Sequence, residues 1–355
     1  MIGIHTFFLV LMLATSAIAQ VVTCPTPAPT NIIDIAGSRT VQPIATAWGA
    51  AYEIECPGAI VNVYGSESSD GAKRVCGDTT SYGGPVDIGA MSRSWKTTEA
   101  TVGSPYNYNC LIGTMPTVGQ VDVAIESLVV ILKKGSLPDL CIKALKGLTF
   151  AQLRWIFSGY TRAKLIATGW PASALANSDS NDKTHLYSEL SASCPKTEIK
   201  LVGPSFASSS YTYFLETILT NYAAGETFDL LRPTGAAYFG TTTNTATINK
   251  VRFDPTGASI GFVYYNAYTP FMTTIRAVPL KKISPPGYVS PTTSTIDSGL
   301  YPLSHRIYMN VLLSTVAKTK TFIEYGMSAM GTLDVIAKGF YPIPFVEQPM
   351  MVARL

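Results

Sequence analysis

The chain has 355 residues, of which 47% are hydrophobic and only 14% are charged, and its net charge is +3. A chain of this length and apolar content can bury a large core, and its length favours two lobes over one. The nearly balanced charge excludes a field strong enough to attract nucleic acid or an anionic membrane surface. Any preference for anions must therefore come from a local site.

The first nineteen residues, Met1 to Ala19, predict a signal peptide. They contain an apolar stretch from Phe7 to Ala14 and end in Ala17-Ile18-Ala19, a small-x-small pattern typical of a cleavage site before Gln20. A retained N-terminal anchor is the less favoured alternative, because the apolar run is short for a bilayer. We expect the mature chain outside the cytoplasm, in a periplasm, an organelle lumen or the medium, with no stable membrane span after cleavage.

Strand and helix patterns alternate along the next hundred residues, which is typical of an α/β protein. The predicted strands are Ile32 to Ala36, Ala59 to Tyr64 and Val86 to Ala90, and the helices are Pro43 to Ile54 and one that begins near Gly71. A loop follows each strand, and in open α/β sheets such loops hold the ligand.

A second lobe of the same kind is predicted in the middle of the chain. Its strands are Ser127 to Lys133, Lys200 to Val202 and Ala258 to Tyr264, its helices are Leu148 to Phe157 and Tyr211 to Tyr222, and its surface loops are Ser173 to Lys183 and Gly240 to Thr247. A final helical part is predicted from Leu303 to Gly339. The expected organisation is a first lobe at 20–125, a second lobe at 126–264 and a return to the first lobe at 265–355.

Six cysteines follow the predicted cleavage site. An even number in a secreted chain favours disulfides, and about fifteen pairings are open to six thiols. No Cys-x-x-Cys or His pair accompanies them, so we expect no metal site. They are Cys24, Cys56, Cys76, Cys110, Cys141 and Cys194.

Three short segments rich in hydroxyl residues each lead into a predicted helix. They are Gly37 to Val41, Ser66 to Gly71 and Ala207 to Ser210. A helix N-terminus carries unpaired backbone N–H groups and the positive end of the macrodipole, so three of them together with Ser and Thr hydroxyls would enclose a small oxyanion. For any one segment alone, a simple helix cap is the alternative.

Five segments along the chain carry a recognisable set of motifs: Gly37 to Pro43, Glu67 to Gly71, Val86 to Arg93, Leu148 to Gly159 and Tyr301 to Ser304. In this order they resemble motifs of the periplasmic phosphate-binding proteins that serve phosphate ABC transporters. The resemblance covers nearly the whole mature chain. It implies a two-lobed type II periplasmic-binding-protein fold of the α/β class, in which each lobe is a mixed sheet flanked by helices and the ligand cleft lies between the lobes.

The resemblance also implies a set of ligand-binding residues. Arg93, and Arg39 as a second cation, would supply charge, while hydroxyl and backbone N–H groups would complete the shell. Glu67 or Asp70 would accept a proton, because Ser92 stands where many members have Asp. The chain also departs from the family at Arg39, where members have Ser, and at Ala207 to Ser210, where they have Asp-Ser-Gly-Thr. The expected ligand-binding residues are Ser38, Arg39, Thr40, Ser68, Ser69, Ser92, Arg93, Ser208, Ser209 and Ser210.

The expected function is capture of inorganic phosphate or a similar tetrahedral oxyanion, for uptake through a membrane permease. The alternative is a structural or interaction protein that keeps the fold with a degenerate cleft. Only His185 and His305 remain after signal removal, and no Gly-x-Ser-x-Gly, His-Glu-x-x-His or Walker motif occurs. We therefore expect no enzyme activity, no cofactor and no nucleic-acid partner.

Overall fold

The computed structural model describes residue 24 and residues 31–78, 83–158, 161–167, 185–206, 208–219, 238–282 and 287–355. The predicted signal peptide, the predicted loop at 173–183, residue 207 and the end of the predicted helix at 211–222 lie outside these residues. Ser209 is described by its backbone only.

Strands and helices alternate through most of the described chain. The strands are β1 (Asn31–Ser38), β2 (Ala59–Ser66), β3 (Ile88–Met91), β4 (Ala100–Ser104), β5 (Asn107–Cys110), β6 (Thr117–Lys133), β7 (Leu148–Thr149), β8 (Lys200–Pro204), β9 (Tyr238–Thr241), β10 (Ser259–Tyr264), β11 (Ile275–Ala277), β12 (Leu280–Lys281) and β13 (Ser304–Leu312). The helices are α1 (Gln42–Glu55), α2 (Ser68–Val75), α3 (Leu137–Ala144), α4 (Phe150–Ser158), α5 (Arg162–Ala167), α6 (Tyr187–Leu190), α7 (Ser209–Ile218), α8 (Asn244–Arg252), α9 (Tyr265–Tyr268), α10 (Thr293–Asp297), α11 (Val316–Gly326), α12 (Ala329–Ala337) and α13 (Gln348–Ala353).

Helix α1 shows how the sequence pattern becomes packing. It begins with a proline in its first turn, where a missing N–H costs nothing. Its apolar residues recur at helical spacing, so that Trp48 and Tyr52 lie on one buried face against Phe322 of α11. The Trp48 indole also donates a hydrogen bond of 2.9 Å to the carbonyl of Gly331. The predicted inner face of this helix is confirmed.

One long strand joins the two halves of the main sheet. The strand order is β2-β1-β3-β13-β6-β10-β8-β9, and β6 pairs with β13 through its first part and with β10 through its last part. Strands β2, β1 and β3 are parallel, as are β10, β8 and β9, whereas β13 and β10 run antiparallel to β6. Each half is therefore a mixed sheet, and the α/β fold class is confirmed.

The two halves direct the ends of their parallel strands toward the same stretch of β6. In the first half, β3 ends at Met91 beside β13, which extends to Ser304, and Ser304 pairs with Ser127 of β6. In the second half, β10 ends at Tyr264, which pairs with Leu128 of β6. The carboxyl ends of both sets of strands consequently face the middle of β6, where α/β sheets bind ligands.

Two predictions of local structure are wrong. The segment Ser304 to Leu312 is strand β13 and not the start of a helical part, because Ile307, Met309 and Val311 alternate with other residues and are buried against neighbouring strands. The segment predicted as a surface loop at Gly240 to Thr247 contains the end of β9 and the start of α8. Helix α8 is capped by Thr243, whose hydroxyl accepts a hydrogen bond from the amide of Ala246.

The predicted lobe boundaries stay predictions, although the pairing after residue 264 is informative. Strand β11 pairs with the last residues of β6, and β12 pairs with β7. Strand β11 therefore extends the second half of the main sheet, whereas β12 and β7 form a separate two-stranded sheet, before the chain returns through β13.

The prediction of disulfides is confirmed. Of the pairings that the sequence left open, the structure has three bonds, and each closes a loop of moderate length. The bonds are Cys24–Cys56, Cys76–Cys110 and Cys141–Cys194. In the part of the chain that the structure describes, no helix is long and apolar enough to cross a membrane.

Candidate functional site

The candidate site lies where three parallel strands end. Ser38 ends β1 and is paired with Ser66, which ends β2, while β3 lies on the other side of β1 and ends at Met91. Helix α2 starts at Ser68, two residues after β2 ends. Its first backbone N–H groups have no partner within the helix, so the positive end of the helix lies at this edge of the sheet.

A close approach of backbones holds this edge together. Gly37 has φ +131°, a conformation that L side chains rarely adopt, and a Cβ atom there would overlap the carbonyl oxygen of Ala90. The same Cβ would lie 2.9 Å from the Cα of Gly71 in α2. Only glycine at position 37 therefore lets β1, β3 and α2 pack at this distance.

The structure brings four of the predicted hydroxyls into two small groups at this edge. Ser68 Oγ accepts a hydrogen bond of 3.0 Å from the amide of Ser92 and lies 3.1 Å from Ser92 Oγ. In the neighbouring loop, Ser38 Oγ accepts a hydrogen bond of 3.2 Å from the amide of Thr40. Ser38, Thr40 and Ser68 are buried, and Ser92 is half-buried. We call these four residues the hydroxyl cluster.

The other predicted residues of these two loops have different surroundings. The side chain of Arg39 is exposed, and its amide donates to the carbonyl of Ser66. Ser69 is half-buried in the first turn of α2. Of the two expected proton acceptors, Glu67 is exposed, and Asp70 accepts a hydrogen bond of 2.6 Å from Ser66 Oγ.

Arg93 forms an ion pair with a residue that sequence reasoning did not single out. Its Nη1 and Nη2 atoms donate to the two carboxylate oxygens of Glu99 at 2.8 and 2.7 Å, and Nη1 also donates to the carbonyl of Ser94 at 3.0 Å. Burial opposes ionisation of Glu99, but the hydrogen bonds from Arg93 and from the amide of Lys96 outweigh it, so the pKa of Glu99 is lower than usual. The bidentate geometry is the strong form of such a pair.

The second half of the sheet presents the third predicted segment at its own strand ends. Ser208 precedes α7, and its hydroxyl lies 2.6 Å from that of buried Ser210. The backbone of Ser209 forms the first residue of α7. Just before the helix, the exposed ring of Phe206 contacts Tyr211 edge-on, with ring centroids 5.0 Å apart. These residues form a group of their own at the start of α7.

Helix α7 contacts the strands that connect the two halves. The ring of Tyr213 lies over that of His305 in β13, with centroids 3.8 Å apart. His305 Nε2 is in turn 3.2 Å from a carboxylate oxygen of Glu126, which is fully buried in β6. The N-terminus of α7 is thus fixed relative to the middle of β6, the stretch toward which the strand ends of both halves point.

A groove of about 930 Å³ lies elsewhere, along β8, β9 and α8. Phe239, Phe253 and Lys250 are among its lining residues, and none of the predicted site residues is. Within the described residues, no cluster of His, Cys, Asp and Glu side chains is suited to hold a metal ion.

The family of the chain follows from comparison with known proteins. Residues 25–329 match the PBP superfamily domain, so the chain belongs to the PBP superfamily. This is a superfamily of binding proteins, and the chain is a solute-binding protein and not an enzyme. No curated protein matches the chain.

Solved structures share its fold at low sequence identity. A possible phosphate binding protein from Planctomyces limnophilus has a TM-score of 0.67 and 20% identity over 92% of this chain and 98% of that one. PstS from Borrelia burgdorferi has a TM-score of 0.59 and 17% identity over 88% and 98%. An ABC-type phosphate transport receptor from Vibrio cholerae has a TM-score of 0.57 and 18% identity over 87% and 99%. The predicted resemblance to phosphate-binding proteins of the PstS kind is confirmed at the level of fold.

Proposed function

We propose that the chain is an extracytoplasmic receptor that captures inorganic phosphate or a similar tetrahedral oxyanion between the two halves of its sheet. The observation that carries the proposal is the hydroxyl cluster at the ends of β1, β2 and β3, next to the N-terminus of α2. Hydroxyl and backbone N–H donors at the positive end of a helix are suited to bind an anion.

The second half of the sheet can complete the shell from the other side. Its strand ends face the same stretch of β6, and α7 begins there with the hydroxyls of Ser208 and Ser210. Closure of the two halves by a hinge motion would enclose the anion between the N-termini of α2 and α7. An enclosed anion loses its hydration, so each lost water contact must be replaced by a protein donor.

The comparisons and the disulfides support the ligand and the location. The similar structures are a possible phosphate binding protein, a PstS and a phosphate transport receptor. Three disulfides fit an oxidising compartment outside the cytoplasm. In that setting a membrane permease would take the anion from the closed form.

A second candidate is an interaction protein whose cleft no longer binds a ligand. It is favoured by the exposed ring of Phe206, which lies against Tyr211 at the start of α7, where an anion would need donors. In that case the protein would remain folded and bind no oxyanion.

Equilibrium dialysis with radiolabelled phosphate tests the first proposal, using mature protein from which bound phosphate has been stripped. We expect saturable binding that Ser68→Ala weakens by about tenfold or more, because a hydrogen bond to a charged group is lost. The matched control is Ser298→Ala. Ser298 follows the last residue of α10, and its exposed hydroxyl donates a hydrogen bond to the carbonyl of Ser294 in that helix. Equal binding by Ser68→Ala and wild type would remove the hydroxyl cluster from the site, and no binding by folded wild type would favour the second candidate.

A further inference from the structure

The Arg93–Glu99 pair lies directly beside the hydroxyl cluster. Arg93 follows Ser92, the residue whose amide donates to Ser68 Oγ. The carboxylate of Glu99 accepts from both terminal nitrogens of the guanidinium, and the side chain of Glu99 is only 10% exposed. The positive charge that the site requires is therefore already paired with a buried negative charge.

The pair still leaves Arg93 able to donate hydrogen bonds. The contacts to Glu99 and Ser94 use both hydrogens of Nη1 and one of Nη2. A guanidinium has five N–H donors, so Nε–H and the second Nη2–H remain on the adjacent edge. That edge can donate hydrogen bonds to two oxygens of a tetrahedral anion while Glu99 keeps its own bidentate contact. To an incoming anion, the pair is a source of hydrogen bonds with no net charge.

The rest of the cluster adds no full charge. Its other donors are the hydroxyls of Ser38, Thr40, Ser68 and Ser92 and backbone N–H groups, all of which are neutral. The nearby cation in the described loops, Arg39, is exposed to solvent. The cost of removing an ion from water rises with the square of its charge, so neutral donors compensate a single charge far better than a double charge.

We propose that Glu99 is a specificity-determining residue, which cancels the charge of Arg93 and so makes the site prefer a singly charged tetrahedral oxyanion to a doubly charged one. This inference rests on the proposed function. Dihydrogen phosphate is then the preferred form of phosphate, and monohydrogen phosphate and sulfate are bound less well.

Calorimetric titration of wild type and Glu99→Gln tests the inference. Inorganic phosphate is mostly singly charged at about pH 5.5 and mostly doubly charged at about pH 8.0, while sulfate is doubly charged at both. Sulfate therefore reports any effect of pH on the protein itself. The matched control is Glu53→Gln, which makes the same change of charge on α1, where Glu53 accepts a hydrogen bond from the amide of Val61.

For wild type and for Glu53→Gln, we expect affinity for phosphate to fall by about tenfold between the lower and the higher pH, once the change seen with sulfate is subtracted. Glu99→Gln should bind sulfate, and phosphate at the higher pH, about tenfold more tightly than wild type. Its midpoint of thermal unfolding should fall, since the ion pair is lost. A purely structural role for Glu99 would lower stability and affinity together, so the opposite signs distinguish the two roles.

Two results would overturn the inference. If wild type bound phosphate as tightly at the higher pH as at the lower one, or if Glu99→Gln bound both dianions no better than wild type, the charge of the pair would not select the ligand. Both results leave the proposed function intact, because oxyanion binding is still observed. Absence of binding by every variant, each shown to be folded, would instead refute the proposed function and the inference with it.

Discussion

The close approach at Gly37 predicts a large loss of stability on Gly37→Ala. An added Cβ would overlap the carbonyl oxygen of Ala90 and approach the Cα of Gly71 to 2.9 Å, and the backbone at φ +131° is strained for any L residue. Backbone strain costs about 1 to 3 kcal/mol and overpacking about as much again, which gives roughly 4 kcal/mol. Total stability is typically about 5 to 15 kcal/mol, so the variant should fold but be much weakened.

Gly58→Ala is the matched control for this prediction. Gly58 also has a positive φ, +97°, but a Cβ atom there meets nothing within 4 Å. It should therefore cost only the strain, about 1 to 2 kcal/mol. Urea unfolding of both variants measures the difference, which we expect to be about 2 kcal/mol or more. Equal losses for the two variants would refute the close contact between β1, β3 and α2 on which the site is built.

Three further predictions concern stability away from the hydroxyl cluster. Hydrogen bonds from neighbouring hydroxyls outweigh the burial of Asp254 and lower its pKa from 3.8 to about 2. Asp254→Asn should therefore destabilise by about 1 kcal/mol at neutral pH. In urea unfolding this difference from wild type should shrink as pH falls below about 4 and disappear only below about 2, and a constant difference would contradict the prediction. Replacing Cys76 and Cys110 by Ser opens a loop with a sequence separation of 34 and should cost about 3 to 4 kcal/mol in the same assay; an unchanged unfolding midpoint would contradict a stabilising bond. Trp48→Phe should cost about 2 kcal/mol because it removes a buried hydrogen bond to the carbonyl of Gly331 and shortens a fully buried side chain, and an unchanged thermal midpoint would show that the 2.9 Å bond does not matter.

The sequence predicted the first half of the fold well because the signals there are local. The apolar residues of α1 recur at helical spacing, and short β-prone runs with loops between them precede and follow it. The strand ends that carry Ser38, Ser68 and Ser92 could therefore be placed at one edge before the structure was known.

Strand β13 could not be predicted in the same way because its polar residues are satisfied by distant partners. Arg306 donates to Asp122 and Glu347, and Asn310 donates to the carbonyl of Gly89. These contacts span 184, 41 and 221 residues of sequence. Within the segment Ser304–Leu312 itself these polar residues have no partners. The helices that follow it in the sequence therefore favoured the prediction of a helix for this segment too.

The net charge of the candidate site could not be predicted from the sequence either. Arg93 was expected to supply a free positive charge, but it is paired with Glu99, six residues further along the chain. The turn that brings the two together is fixed by contacts such as the hydrogen bond from Trp95 to Asn310, which lies far away in the sequence. The sequence does show an acidic residue six positions after Arg93, but only the structure shows that the two side chains form an ion pair.

Calorimetric titration of the purified, phosphate-stripped mature protein with inorganic phosphate tests the central claim most directly. The proposed receptor should release or take up heat with saturation at one phosphate per chain, and excess chloride should not abolish the signal. A correctly folded protein that gave no heat with phosphate and none with sulfate would contradict the claim, and the hydroxyl cluster would then serve only to cap helices and connect strands.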